Sequence, residues 1–180
     1  MKTSLKALCA ATSLILVSVP VVADEIAVIV KTTNSNFWQN VDGGAAAGLA
    51  DQSEYSYTFN GPASETAIAD QVNLVDDAVN RRVAGIVLAP SDPEALVPSV
   101  RRAYENGIPV VIIDSALSDE AEGTFQAFLS TDNCAAGQLV AQNMIDKVGT
   151  DGKVAIMSYV AGAGSEVGRV GCFSDYLGAN

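Results

Sequence analysis

Short β-branched runs alternate with longer segments of helical period from residue 26 to residue 177, and few folds accommodate that alternation. The runs fall at 26–31, 55–59, 85–89, 109–113, 127–130 and 153–158. Several, such as Val110-Val111-Ile112-Ile113, show no polar alternation, as expected of parallel strands buried on both faces. Helical periodicity predicts helices over 37–50, 64–82, 93–106, 134–148 and 165–177. Ser64 and Glu65 suit a helix start, and Asn106-Gly107 before Pro109 suits a helix stop. The pattern predicts an α/β fold in which Rossmann-like parallel sheets carry helices on both faces. No internal repeat or low-complexity linker interrupts it.

The segment ahead of this pattern reads as an export signal over residues 1–23. Lys2 and Lys6 form a positive start, an apolar stretch runs from 7 to 22, and the small Ala23 precedes Asp24 and Glu25. Pro20 and several small residues make the stretch too short and interrupted for a retained membrane span. Leu8 ahead of Cys9 argues against lipid attachment, so the expected product is a soluble, periplasmic chain starting near Asp24. Cleavage would reduce the 10 basic residues to 8 against 21 acidic ones, a formal charge of −13. Such a surface repels nucleic acid and anionic lipid. With no histidine, and only Cys134 and Cys172 beyond the leader, the usual His/Cys metal sites cannot be assembled, and no metal or cofactor is expected. The two cysteines can form a single intramolecular disulfide or lie as separate buried thiols.

In open α/β sheets ligands sit at the carboxyl ends of the strands, so the loops there carry the functional signal. After the first run comes Thr32-Thr33-Asn34-Ser35-Asn36-Phe37-Trp38, with no glycine to let a phosphate approach the backbone. Aromatic rings beside amides and hydroxyls suit a sugar, which presents C–H faces and a hydroxyl edge. Phe37 and Trp38 are adjacent and point in different directions on a helix, so at least one belongs to the core. After the fourth run, Asp114-Ser115 offers a carboxylate that can accept from hydroxyls, or else cap a turn. After the sixth run, the glycine spacing of residues 162–171 does not fit a dinucleotide fingerprint. Arg169, one turn into the last helix, can reach a ligand or pair with Glu166.

The order of these pieces resembles the type 1 periplasmic binding proteins of ribose, galactose and other simple sugars. The segments that carry the resemblance are IAVIVKTTNSNFWQNVDGG, GIVLAPSDPEAL, GIPVVIIDSAL, STDNCAAGQLVAQNM and GKVAIMSYVAGAGSEVGRVGCF. It implies a two-lobe fold, with 24–131 the N-terminal lobe and 132–180 the first part of a C-terminal lobe truncated at Asn180. It also implies a first binding loop at Asn34, Ser35, Asn36, Phe37 and Trp38, with the two rings flanking the sugar. Asp114, with Ser115 beside it, and Arg169 would meet sugar hydroxyls from opposite lobes. Thr131-Asp132-Asn133 would cross at a hinge. Where the ribose-type pattern has a basic residue after the aspartate and asparagine-proline before the aromatics, this chain has Ser115 and Ser35-Asn36, which argues against ribose itself.

The implied activity is capture of a simple sugar or polyol by hinge closure, and delivery by a monomer to an ABC transporter permease or to a chemoreceptor. Two rivals are a quorum-signal receptor of the same fold and a sugar-processing enzyme. Against the enzyme stand the lack of histidine and of a G-x-S-x-G elbow. A DNA-binding repressor is excluded by the leader and by the acidic charge.

Overall fold

The computed structural model describes residues 24–179; the leader reading and Asn180 lie outside them. Five strands, β1 (Asp24–Ile29), β2 (Tyr55–Asn60), β3 (Gly85–Leu88), β4 (Val110–Ile113) and β5 (Ala127–Leu129), form one sheet. Its order is β2-β1-β3-β4-β5, and every pairing is parallel. Helices α1 (Asn36–Leu49), α2 (Ile68–Arg81) and α3 (Val97–Glu105) connect the first four strands. Beyond the sheet follow α4 (Asn133–Val148) and α5 (Gly164–Ala179).

Side-chain alternation along β1 explains the layering. Ala27 and Ile29 face a core shared with Val75 and Val79 of α2, Val100 of α3, and Leu88 and Ile112. Val28 and Val30 point the other way and pack with Trp38 of α1 and Ala89. Gln71, Val75, Ala78 and Val79 form the buried stripe of α2, spaced as one helix face requires.

Two helices start later than their periodicity predicts, because polar side chains take the chain into turns first. Asp92 Oδ1 accepts from the amides of Glu94 and Ala95, holding a turn ahead of α3. Ser64 Oγ similarly accepts from the Thr66 amide, and α2 begins at Ile68. The predicted stop after α3 is observed, with Asn106 as cap and Gly107 at φ 73°.

The sixth run corrects the sequence expectation. Residues 153–158 form no strand, because a strand exists only through its ladder and no described strand lies beside this segment. Val154, Ile156 and Met157 are consequently exposed. The neighbouring helices are fastened to each other instead. Cys134 and Cys172 form a disulfide, with Cα atoms 5.1 Å apart, which settles the alternative left open by the sequence. At Gly137 a Cβ would collide with the Arg169 carbonyl, so only glycine allows α4 and α5 to approach this closely. No helix among the described residues is long and apolar enough to cross a membrane.

Candidate functional site

The strand order reverses direction between β1 and β3, and the crevice at their carboxyl ends is where this sheet type binds ligands. Gln71 fixes that crevice. Its side chain is fully buried; its amide nitrogen donates to the carbonyls of Val30 and Ala89, and its oxygen accepts from the Ser91 amide. One side chain thus staples the ends of β1 and β3. A glutamine on the buried stripe of an amphipathic helix is the signal that sequence reasoning passed over.

The centre of the crevice is an ion pair that sequence reasoning also missed. Lys31, 2% exposed, follows β1 and reaches past β3 to the end of β4, where Nζ lies 2.7 Å from Asp114 Oδ2. The span is two strand spacings, about 10 Å, within reach of the lysine stem and one carboxylate. A lysine ending an otherwise apolar strand was the available clue, since a buried ammonium must find a carboxylate. The sequence showed no basic residue after Asp114, and Lys31 supplies a cation there from another strand.

Asp114 adopts φ 65°, a left-handed conformation that aspartate tolerates better than most residues. Its amide donates to the Leu129 carbonyl, and its own carbonyl accepts from Ser130 Oγ at 2.6 Å. The side chain keeps 20% of its surface exposed, and among the described residues Oδ1 has no hydrogen-bond partner. An acceptor therefore remains for a ligand.

Ser115 has a different role from the expected one. Its hydroxyl donates to Asp114 Oδ2 at 2.9 Å and accepts from Lys31 Nζ at 2.7 Å and from the Ser165 amide at 3.2 Å. One hydrogen and two lone pairs are all a hydroxyl has, so Ser115 retains nothing for a ligand. It is 1% exposed and ties the ion pair to the start of α5.

The structure also separates the two aromatics. Trp38 is 3% exposed in the core below the crevice, and its indole N–H donates to Glu65 Oε1 at 3.2 Å. Phe37 is 57% exposed and meets Trp38 edge-on, with centroids 4.8 Å apart. Of the two rings expected to flank a ligand, only Phe37 presents a free face here. Ser35 is the α1 cap, accepting from the Trp38 amide, and Asn34 Nδ2 donates to the Ala63 carbonyl. Both hold the loop in shape. Asn36 is exposed at the first turn of α1.

Arg169 is exposed and has no ion-pair partner among the described residues. The expected alternative partner, Glu166, accepts instead from Ser158 Oγ and the Gly162 amide. Arg169 borders a cleft of about 240 Å³ that Glu65 lines from the sheet side and Ser158, Tyr159 and Glu166 from the other. A larger groove of about 440 Å³ lies between α4, α5 and Ile156. Its lining is mainly apolar, and none of it comes from the strand-end loops of the sheet, so it is not the polar crevice.

Residues 26–180 match the profile of the periplasmic binding protein domain. The chain is 34% identical over 155 residues to the D-allose-binding periplasmic protein of Escherichia coli K12, covering 82% of this chain and 49% of that protein. It is 27% identical over 158 residues to the D-ribose/D-allose-binding protein of Pseudomonas aeruginosa, covering 86% and 50%. Among solved structures, an ABC transporter solute-binding protein from Agrobacterium vitis with bound D-fucose superposes with a TM-score of 0.86 at 67% identity, covering 87% of this chain and 54% of that one. The chain spans about half the length of the relatives it matches. Parallel sheet, strand-end crevice and sequence agree: this chain belongs to the periplasmic binding proteins and has their type 1 fold.

Proposed function

We propose that the full-length protein is the solute-binding component of an ABC uptake system, exported by residues 1–23 and working as a monomer that closes on a neutral monosaccharide at Thr131-Asp132-Asn133. The observation that carries this reading is the Lys31–Asp114 pair at the strand ends, with Asp114 Oδ1 left without a partner among the described residues, on the same sheet edge as the loop that carries the exposed Phe37. A sugar needs both kinds of surface. Asp114 accepts from its hydroxyls, Lys31 donates to its oxygens, Phe37 covers a C–H face, and Asn36 and Arg169 supply further donors. Lys31 also fixes the Asp114 carboxylate in place before the ligand arrives, through the 2.7 Å contact to Oδ2. No covalent step is required.

The D-fucose in the Agrobacterium vitis structure makes that sugar the first probe, with D-allose and D-ribose beside it. In a thermal-shift titration of the full-length protein, one of these should raise Tm by several degrees. Asp114→Asn, which fits the left-handed backbone and can still accept from Lys31, should abolish or greatly reduce the shift in a protein that still folds. A folded wild type unmoved by every neutral monosaccharide would sink the reading.

A further inference from the structure

We propose that Glu65 is a specificity-determining residue of this crevice, a second carboxylate that accepts from a ligand hydroxyl and turns away anionic sugars. The proposal rests on the sugar-capture reading and adds a residue to it.

A buried indole N–H needs one acceptor, and Glu65 Oε1 provides it to Trp38. A neutral amide or a carbonyl would serve that need without the cost of desolvating a charge. Glu65 is half-buried, and none of the ion pairs among the described residues compensates it. Its charge therefore exceeds what packing Trp38 requires. Meanwhile Oε2 has no partner among the described residues, and Glu65 lines the same cleft as Arg169.

The turn that carries Glu65 is held from two sides. Asn34 Nδ2 fastens the carbonyl of Ala63, while Ser64 Oγ binds Thr66 at both Oγ1 and the amide. Trp38, locked in the core, then fixes the carboxylate itself. A group placed this firmly, with one oxygen still available, discriminates among ligands at little entropic cost. An ionised carboxylate only accepts, so it favours hydroxyls and repels a uronate.

The test uses the full-length protein, with Kd measured by calorimetry for D-fucose and for D-galacturonate. Glu65→Gln keeps an oxygen for the Trp38 N–H and removes the charge. It should weaken D-fucose about tenfold, as expected for loss of one charged hydrogen bond, and lower the galacturonate-to-fucose Kd ratio at least as much. Tm of the unliganded variant should stay within about a degree of wild type, because the indole keeps an acceptor. Glu65→Met, which has no acceptor oxygen, should lose D-fucose affinity as well and also lose stability. Unchanged affinities and ratio in Glu65→Gln would overturn the proposal and leave Glu65 as a prop for Trp38, as would failure of both variants to fold. A folded wild type that binds neither sugar instead defeats the capture reading, and the proposal with it.

Discussion

The sheet with α1–α3 and the pair α4–α5 are held together by different means. The first buries a continuous apolar layer, with Leu88, Val100 and Ile112 wholly inaccessible, and every strand has its ladder. The second relies on close helix contact through Gly137 and on a covalent bridge, while Val154, Ile156, Met157 and Tyr159 face outward. A dry core defines positions to fractions of an ångström. That is why the polar groups with fixed partners, Gln71 and the Lys31–Asp114–Ser115 cluster, sit where the sheet ends. The helical pair contributes Arg169, exposed, and one amide, Ser165, to Ser115.

The comparison breaks most readily through matched truncations. Leu88→Ala should cost about 2–5 kcal/mol in urea denaturation, since a fully enclosed side chain leaves a cavity. Ile156→Ala, with 49% of its surface already exposed, should stay within about 0.5 kcal/mol. Equal losses would mean that the two regions share one core.

Replacing both cysteines sharpens the contrast. Cys134→Ser with Cys172→Ser should remove about 2–4 kcal/mol, because the bridge closes a loop with a sequence separation of 38. Hydrogen exchange should then speed up along α4 and α5 while the amides of β1, β3 and β4 keep their protection. Uniform acceleration would show that the bridge stabilises the whole chain.

The smallest effect lies at the sheet's far end. A hydrogen bond from Arg81 holds the Glu25 carboxyl below its usual range; Thr58 helps, and partial burial opposes. A lowered folded value means the contribution is present above the ordinary glutamate pKa and is lost as pH falls through the folded one. With Arg81 47% exposed, the contribution is at most about 1 kcal/mol, and it should fade progressively as pH falls below the ordinary glutamate pKa of about 4.3. Glu25→Gln should flatten that limb of the stability–pH curve and lower stability at neutral pH by no more than that amount, leaving acid pH nearly unaffected.

How far the sequence could be read follows the same division. The five strands of the sheet and its helices were legible: β1, β3 and β4 in the middle of the sheet are written as apolar runs, the edge strands β2 and β5 as aromatic and β-branched or short apolar runs, and α2 as a stripe at 71, 75, 78 and 79. Residues 153–158 carry an equally apolar run, yet whether it becomes a strand depends on a neighbour, which no local pattern records. At the site, Asp114 and the exposed Phe37 stood out by their place after a strand, which is as far as local sequence reaches. Lys31 and Ser115 were not understood, because their meaning lies in partners 83 and 84 residues apart and 50 residues downstream. Trp38 could not be told from Phe37, since adjacency fixes only that they diverge.

The left-handed backbone at Asp114 reaches beyond the site's chemistry to the mutations open to it. Asparagine and glycine fit that conformation, whereas glutamate, with the same charge, brings about 1–2 kcal/mol of strain. Lineages drifting at this position are therefore steered toward neutral replacements. Any inherited change of ligand preference through residue 114 gives up a charge before it can relocate one, and Lys31 would be left looking for a new counterion.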